Sequence, residues 1–328
     1  MIKATLVMVL ALGLLAPTAA AHAQPPKGIP RIGVLSDESP SSGPIVSREP
    51  LEKGLREQGY TKGQNLAIEY RYDEGKHDRL PALAAELVGL KLDVIVAIGT
   101  PAALAAKGAT KTIPIVFTRV GDPLVVGLVR NLARPGGNLT GVMLLTYELS
   151  AKRLQMLREA VAGVTHIGVL WNPTFAPAGI ELKEVEGAAR SSGLRLQPVA
   201  ARSPGEFEGA LLTMTRERVG AITVLTDTMF TEQGKRLVAL VAKYRLPAMF
   251  VRSELVDAGG LMSYGTNYAD VHRQAARHVD KILKGARPGD LPVEQPTTFE
   301  LVINLKTAET LGLELPQSLL LRADRVIR

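Results

Sequence analysis

The segment DVIVAIGTPAA at residues 93–103 decides the fold class of this chain. Its apolar run after Asp93 is short and continuous, which is typical of a strand buried on both faces of a parallel sheet. Thr100 is a good helix N-cap and Pro101 suits the first helical position, so we expect the strand to lead directly into a helix. A buried strand followed at once by a helix predicts an α/β domain with parallel strands.

The same alternation of apolar runs and amphipathic segments continues on both sides of this segment. Before residue 146 it predicts strands at residues 32–35, 66–70, 93–98, 113–118 and 139–144. It starts again with a helix at Ser150 and then predicts strands at residues 167–171, 221–225 and 246–251, with a helix at 231–243 before the last of them. Two successive runs of this pattern predict two α/β lobes of similar size.

The tail of the chain departs from simple alternation. It predicts a strand at residues 261–264, a helix at 270–283 and a further strand at 299–303. A tail of this kind can serve both lobes by crossing between them. The predicted fold class is therefore α/β, with two Rossmann-like lobes joined by a multi-crossing hinge. Lobe 1 is assigned residues 30–146 and 259–287, and lobe 2 is assigned residues 147–258 and 296–328.

The pattern of residues 1–23 predicts a cleavable signal peptide. Lys3 precedes a ten-residue apolar stretch, Pro17 follows it, and a run of small residues ends at Ala23, which is the layout of a secretory signal. The apolar stretch is too short to span a bilayer. Because the chain contains no cysteine, a disulfide scaffold and a lipid-modified cysteine are excluded. We expect a soluble, exported, periplasmic protein.

Composition and motif content argue against several other function classes. The net charge of +7 is spread along the chain and aromatic residues make up only 4%, so we expect no nucleic-acid partner. The first strand is not followed by a glycine-rich turn and no GxxxxGK[ST] segment occurs, which argues against a Rossmann-like enzyme. His272 and His278 are six residues apart and fall on different faces of one helix. We therefore expect no catalysis, no cofactor and no metal.

Several short segments resemble a known family when their order and spacing are taken together. They are residues 54–60 (GLREQGY), 63–66 (GQNL), 79–87 (RLPALAAEL), 99–103 (GTPAA), 121–123 (GDP), 132–138 (LARPGGN), 151–154 (AKRL), 171–173 (WNP) and 267–268 (NY). From about Pro30 to Ile327, the chain resembles the ABC-transporter substrate-binding family typified by periplasmic tryptophan- and tyrosine-binding proteins.

This resemblance implies a type I periplasmic-binding-protein fold of Venus-flytrap architecture. Two α/β lobes, three connecting segments and a ligand enclosed in the cleft are expected. The implied partners are a small-molecule ligand, namely an amino acid or related small carboxylate, and an ABC permease in the inner membrane. A ligand-sensing protein that docks on a signalling receptor would use the same closure, so delivery and sensing both stay open.

Candidate ligand-binding residues follow from the position of the strand ends. Ligands of parallel sheets bind beyond the carboxyl ends of the strands, so the residues that follow each strand are the informative ones. In lobe 1 these candidates are Ser36, Gly99, Thr100, Pro101, Ala102, Val120 and Asp122. In lobe 2 they are Trp171, Asn172, Thr226 and Asp227, together with Tyr264 at the end of the crossing strand.

The chemistry of these candidates suggests a ligand that carries both a negative and a positive group. The helix start at Thr100 offers backbone donors to a ligand carboxylate, although Thr100 can also act only as a cap. Asp122 or Asp227 can accept a ligand ammonium group, and Asp122 is equally suited to cap the helix that follows it. Trp171 can stack on a planar ligand or pack in the core. Arg252 can bind a ligand carboxylate or form a salt bridge.

Overall fold

Five parallel strands form the sheet of the first lobe in the computed structural model, which describes residues 28–40 and 47–328. The predicted signal peptide, residues 1–23, lies outside the described residues. The elements of this lobe are β1 (Arg31–Ser36), α1 (Arg48–Glu57), β2 (Ala67–Tyr72), α2 (Leu80–Gly89), β3 (Val94–Ile98), α3 (Thr100–Ala109), β4 (Ile115–Val120) and β5 (Leu139–Met143). The strand order is β2-β1-β3-β4-β5, and every residue of β3 is buried, which confirms the predicted buried strand.

Seven strands form the sheet of the second lobe. The first elements after β5 are α4 (Ser150–Ala160), β6 (His166–Trp171), α5 (Ala176–Ser191), β7 (Arg195–Ala200), α6 (Phe207–Arg216), β8 (Ala221–Val224), α7 (Thr228–Glu232), α8 (Gly234–Lys243), β9 (Ala248–Phe250) and α9 (Ser253–Asp257). The remaining elements are β10 (Met262–Thr266), α10 (Tyr268–Leu283), β11 (Phe299–Asn304), α11 (Leu305–Leu311), α12 (Gln317–Leu320) and β12 (Arg325–Ile327). The strand order is β12-β11-β10-β9-β8-β6-β7. The strands pair in parallel except β10 with β11.

Helices cover both faces of the first sheet. On one face α2 and α3 bury side chains such as Leu87 and Ala103 against the sheet, and on the other face α1 and α10 bury Leu51 and Val279. The contact between α1 and α10 depends on Gly54, since a Cβ there would lie 2.8 Å from the Cβ of Ala276. This close contact attaches α10, a late segment of the chain, to the first lobe.

The chain crosses between the lobes three times. It passes from β5 to α4, returns from β10 to α10, and leaves the first lobe again before β11. Between the second and third crossings, Glu294 is still attached to the first sheet, because its carbonyl oxygen accepts a hydrogen bond of 3.0 Å from the Met143 backbone N–H. Three connecting segments are what the family resemblance implies for a type I fold.

The tail divides between the lobes differently from the assignment made above. Residues 259–287 were assigned to lobe 1, but β10 in that segment pairs with β9 and β11 of the second sheet. Only α10 packs on the first lobe. The division falls at Asn267, whose side chain accepts a hydrogen bond from the Asp270 N–H and caps α10. A continuous edge pairing with β11 therefore decides where β10 lies, and the sequence pattern does not contain this information.

The helix predicted at residues 231–243 begins earlier and is broken in two. Asp227 is the N-cap of α7, and its carboxylate accepts a 2.7 Å hydrogen bond from the Met229 N–H. A second helix, α8, starts at Gly234. The earlier start brings Glu232 to the side of the lobe that faces the first lobe. Within the described ranges, no helix combines the length and apolar character needed to cross a membrane.

Candidate ligand-binding cleft

Each lobe turns the same part of its sheet toward the other lobe, namely the place where the strand order changes direction. In the first sheet, the strand order changes direction between β1 and β3, and in the second sheet it does so between β6 and β8. A crevice opens at the carboxyl ends of strands that diverge in this way, and ligands of α/β proteins bind there. Asp37 and Thr100 follow the first pair of strands, whereas Asn172 and Asp227 follow the second. The cleft between the lobes is therefore the candidate ligand site.

Two adjoining cavities occupy this cleft. The narrow one has a volume of about 40 Å³ and the wider one about 510 Å³. Arg119, Thr228, Thr231 and Arg252 line both of them. The narrow cavity is closed on the apolar side by Leu144, Phe175, Val224, Leu225, Phe230, Val251 and Leu255.

Arg119 reaches the cleft through an irregularity of β4. The pairing register of β4 with β5 shifts between Phe117 and Val120, and Arg119 has a left-handed backbone with φ of 57°. Such a conformation costs roughly 1–2 kcal/mol for a residue with a side chain, and strand irregularities of this kind redirect side chains. The Nη2 group of Arg119 lies 3.5 Å from Oδ1 of Asp37, and Nη1 lies 3.3 Å from Oε1 of Glu38. One guanidinium group is thus shared by two carboxylates.

Arg252 supplies a second buried guanidinium group from the other lobe. Its Nε donates a 3.0 Å hydrogen bond to Glu254, and its Nη2 donates to the same carboxylate. Although burial acts to raise the pKa of Glu254, the charge of Arg252 and these hydrogen bonds hold that pKa at about 2. The Tyr268 ring lies 3.5 Å from the guanidinium carbon of Arg252 and 5.6 Å from that of Arg119. Because Tyr268 starts α10 directly after a crossing, the hinge contacts both arginines.

Asp37 is an almost fully buried carboxyl group on the first lobe. Its side chain lies against the start of α3, where a Cβ on Gly99 would be 2.1 Å from Oδ2 of Asp37. Gly99 has a φ of 95°, so both the backbone and the space require glycine there. Burial raises the pKa of Asp37 to about 6, the charge of Arg119 acts to lower it, and the nearby carboxylates Glu38 and Asp73 raise it further.

Two residues of α7 contact the first lobe across the cleft. The Thr228 hydroxyl donates to Oδ2 of Asp37 at 3.4 Å, and the Glu232 carboxylate accepts a hydrogen bond from the Ser39 backbone N–H. Burial raises the pKa of Glu232 to about 7, and the proximity of Asp37 adds to this increase. These contacts hold the lobes together in a closed arrangement.

Asp227 lies at the base of the cleft in the second lobe. Its carboxylate accepts hydrogen bonds from the Met229 N–H and, at 2.9 Å, from Nδ2 of Asn172. Burial raises the pKa of Asp227, and these hydrogen bonds counteract the increase. Both donors are neutral, and no cation of residues 28–40 and 47–328 bonds to this buried carboxylate.

Comparisons with known proteins agree with this architecture. The family described as "ABC transporter substrate binding protein" matches the chain over residues 41–327. This protein belongs to that family. It has a type I periplasmic-binding-protein fold, as the order of its short motifs predicts.

Three relatives illustrate the similarity. The chain is 28% identical over 265 residues to the tyrosine-binding protein of Clostridioides difficile (strain R20291), covering 80% of this chain and 75% of the relative. It is 30% identical to a Streptococcus pneumoniae ABC domain solved in complex with L-Trp, with a TM-score of 0.84 over 91% of this chain and 99% of that one. A conserved domain protein of Vibrio cholerae is 31% identical, with a TM-score of 0.85 and the same coverage.

Three of the predicted site residues of this substrate-binding protein line the narrow cavity, namely Thr100, Thr226 and Asp227. Three more do not line the cavity but contact the side chains of the cleft. Ser36 donates a 3.2 Å hydrogen bond to Glu38, Asn172 donates to Asp227, and Gly99 packs against Asp37. Thr100 is the first residue of α3, while Gly99 occupies the N-cap position, so the prediction of Thr100 as the cap was wrong by one residue.

The other predicted site residues lie away from both cavities. Ala102 and Val120 are buried in the core of the first lobe, and Pro101 lines a separate groove between α2 and α3. Asp122 caps a turn, since its Oδ1 accepts hydrogen bonds from the N–H groups of Leu124 and Val125 at 2.8 and 3.3 Å. Trp171 and Tyr264 pack on the core of the second lobe.

Sequence reasoning missed four charged residues of the cleft. They are Asp37, Glu38, Arg119 and Glu232. Asp37 directly follows β1, so the strand-end rule could have identified it. Arg119 follows the strand predicted to end at residue 118, and only the bulge turns it into the cleft. Glu232 was placed inside a continuous helix, so the sequence pattern offered no signal for it. Among residues 28–40 and 47–328, no group of three His, Cys, Asp or Glu side chains is arranged to hold a metal ion.

Proposed function

We propose that this protein is the periplasmic solute-binding component of an ABC importer. In this role it captures an amino acid or related small carboxylate in the interlobe cleft and delivers it to a permease in the inner membrane. The observation that carries the proposal is the convergence of two buried guanidinium groups, Arg119 and Arg252, with buried carboxyl groups in one cleft. The signal-peptide pattern of residues 1–23 supports export.

The charge arrangement suits a ligand that carries both a carboxylate and a cationic group. A guanidinium group binds a carboxylate through two parallel hydrogen bonds. Arg119 makes only long contacts, at 3.3 and 3.5 Å to its two acidic neighbours and at 3.3 Å to the hydroxyl of Thr228. Asp37 and Asp227 provide acceptors for an ammonium group. The C. difficile relative is named a tyrosine-binding protein, and the S. pneumoniae relative was solved in complex with L-Trp. Both support an amino acid as the ligand class.

We propose that the arginines, and not the start of α3, bind the ligand carboxylate. The carboxyl group of Asp37 already lies against Gly99 at this helix start, and a second carboxylate beside it would be repelled. We therefore propose that the ligand carboxylate faces Arg119 and Arg252. Thr100 then lines the cavity without holding an anion.

Closure of the lobes is the functional step. A ligand bound to one lobe gains further contacts when the other lobe closes over it, and this difference in affinity shifts the population to the closed form. The contacts from α7 to Asp37 and Ser39 belong to this closed form. We propose that the permease recognises the closed form, so that delivery follows capture and requires no catalytic step.

A ligand screen with the protein freed of ligand tests the proposal. We expect one or more amino acids to raise the thermal transition, because a ligand that binds only the folded state stabilises it. Small-angle scattering at saturation should show a smaller radius of gyration. The matched control is the amide of the same amino acid, which lacks the carboxylate charge and should bind about tenfold weaker or worse. Binding of a neutral sugar alone, or equal binding of acid and amide, would contradict the proposal.

A further inference from the structure

Carboxyl groups outnumber cations in the closed cleft. The carboxyl groups are Asp37, Glu38 and Asp73 of the first lobe and Asp227, Glu232 and Glu254 of the second. The cations that face them are Arg119, Arg252 and, when protonated, His77. Lys235, Arg236 and Asp257 also line the wider cavity, but all three are exposed, so water and salt screen their charges.

Each of the three cations is already engaged. His77 Nδ1 lies 2.5 Å from Oδ2 of Asp73, and Arg252 is paired with Glu254 through two of its nitrogens. Arg119 is shared between Asp37 and Glu38 at distances longer than the 2.7–2.9 Å of a strong charged hydrogen bond. The cleft therefore keeps a surplus of carboxyl groups that its own cations do not neutralise.

Two carboxyl groups of this surplus, Asp37 and Glu232, come from opposite lobes and are close enough for the charge of Asp37 to raise the pKa of Glu232. Asp37 is 2% exposed and lines the narrow cavity, and its Oδ1 makes no hydrogen bond within the part of the chain that the structure describes. Glu232 accepts a backbone hydrogen bond from Ser39. The pKa values of both groups are raised, because burial beside other carboxylates favours the protonated form. This agrees with an excess of carboxyl groups over cations. Closure without a cationic ligand therefore brings together two acidic groups that are poorly solvated.

Building on the function proposed above, we propose that the ligand carries more positive than negative charge. It is an amino acid or related amine with a second cationic group, either an ammonium or a guanidinium. One cationic group lies between Asp37 and Glu232 and links the lobes, and the carboxylate faces Arg119. A zwitterion with a neutral side chain would leave the surplus of carboxyl groups without a cationic partner on closure. These groups would then stay charged in a buried site or take up protons, and either outcome costs free energy near neutral pH.

Matched pairs of amino acids separate charge from shape. Arginine is compared with citrulline, lysine with norleucine and ornithine with norvaline, using calorimetry on the full mature chain freed of ligand. The members of each pair have similar side-chain size and differ in the side-chain charge. We expect the cationic member of at least one pair to bind about 10-fold to 150-fold more tightly than its neutral partner. Agmatine, which lacks the carboxylate, should bind more weakly than arginine.

Glu232→Gln tests the location of the cationic group. The glutamine keeps an acceptor for the Ser39 N–H and loses the charge, so the preference for the cationic member should shrink at least threefold while binding of the neutral member changes little. Glu208→Gln is the control, because Glu208 lies on the exposed side of α6 beside Lys243. It should leave the preference unchanged.

The possible outcomes distinguish this inference from the function on which it rests. Tight binding of neutral or aromatic amino acids, with no preference for the cationic members, would overturn the inference and leave the amino-acid-binding function standing. An unchanged preference in Glu232→Gln would overturn the assigned position. Failure of every amino acid and amine to bind, with a sugar binding instead, would overturn both proposals.

Discussion

Two buried arginines of this protein form ion pairs of very different quality. In the second lobe, Nη2 of Arg153 lies 2.8 Å from Oε1 of Glu181 and donates a 2.6 Å hydrogen bond to the Thr146 carbonyl oxygen. Glu181 in turn accepts a 2.9 Å hydrogen bond from the Thr226 N–H. In the cleft, Arg119 reaches its two carboxylates only at 3.3 and 3.5 Å.

The two ion pairs differ in where they lie as well as in their distances. Arg153 and Glu181 are 2% and 1% exposed and both lie in one lobe. Nη2 of Arg153 makes short contacts without a ligand, whereas its Nη1 has no hydrogen-bond partner among the residues that the structure describes. Arg153 and Glu181 also join Thr146 in the first crossing to Thr226 at the cleft. Arg119 instead contacts groups of both lobes and keeps capacity for a stronger acceptor. We propose that the short pair has a structural role and that the long, shared one is available for a ligand.

The largest expected effect is loss of stability in Arg153→Met. This change leaves Glu181 buried without its cation, which should lower the free energy of unfolding by about 3–5 kcal/mol. Denaturant titration measures it. Arg158→Met is the control on the same helix, because Arg158 is exposed and its loss should cost little. The double variant Arg153→Met, Glu181→Leu should recover part of the loss, and a single-variant loss below about 1 kcal/mol would break the comparison.

The next largest effect is on ligand affinity in Arg119→Met. Since Arg119 is proposed to hold the ligand carboxylate, calorimetry should show binding weakened about 10-fold to 150-fold. The loss of unfolding free energy should be smaller than in Arg153→Met, because Asp37 has an elevated pKa and can take up a proton. Exposed Arg216→Met serves as the control. An affinity change of less than about threefold would remove Arg119 from the site.

The dependence of stability on pH should distinguish the cleft carboxyls from the rest of the molecule. The folded-state pKa of Asp37 is about 6, above its ordinary value of 3.8, and that of Glu232 is about 7 compared with 4.5. At a pH between the ordinary and the folded-state pKa of each group, the folded state binds more protons than the unfolded state. The contribution of Asp37 and Glu232 to stability is therefore present at low pH and is lost as pH rises from about 4 to 7. The slope is at most about 1.4 kcal/mol per pH unit for each group.

Asp37→Asn checks this dependence. The difference in unfolding free energy between variant and wild type, followed by denaturant titration from pH 4 to 7, should change in favour of the variant as pH rises. Asp93→Asn is a control at an exposed carboxylate of the same lobe. A parallel pH dependence for Asp37→Asn and wild type would show that Asp37 is not perturbed.

The smallest expected effects come from two aspartates that sequence reasoning treated alike. Asp227→Asn removes a charge at the cleft and keeps an acceptor for the Met229 N–H, so ligand affinity should fall about threefold to tenfold. Asp122→Asn should change neither affinity nor stability appreciably, because asparagine caps a turn nearly as well as aspartate. Calorimetry on both variants measures the contrast, and equal effects would contradict the placement of Asp122 outside the cleft.

The class of fold, and the sheet edges at which the cleft lies, could be predicted from the amino-acid sequence. The opening segment predicted β3 and its direct passage into α3, because five apolar residues followed by a proline-containing helix start are a local signal. Three of the residues that the strand-end rule proposed, Thr100, Thr226 and Asp227, line the narrow cavity. Trp171 and Tyr264 pack on the core instead, because the rule specifies which edge a residue lies on and not which way its side chain points.

Which charged groups contact each other became evident from the three-dimensional arrangement alone. Ser39 and Glu232 are 193 residues apart in the chain and become partners because the two lobes face each other across the cleft. Arg119 enters the cleft because a bulge redirects it, and β10 joins the second sheet because its edge pairs with β11. Each of these depends on distances between segments far apart in sequence, and local patterns of apolar and polar residues carry no information about such distances.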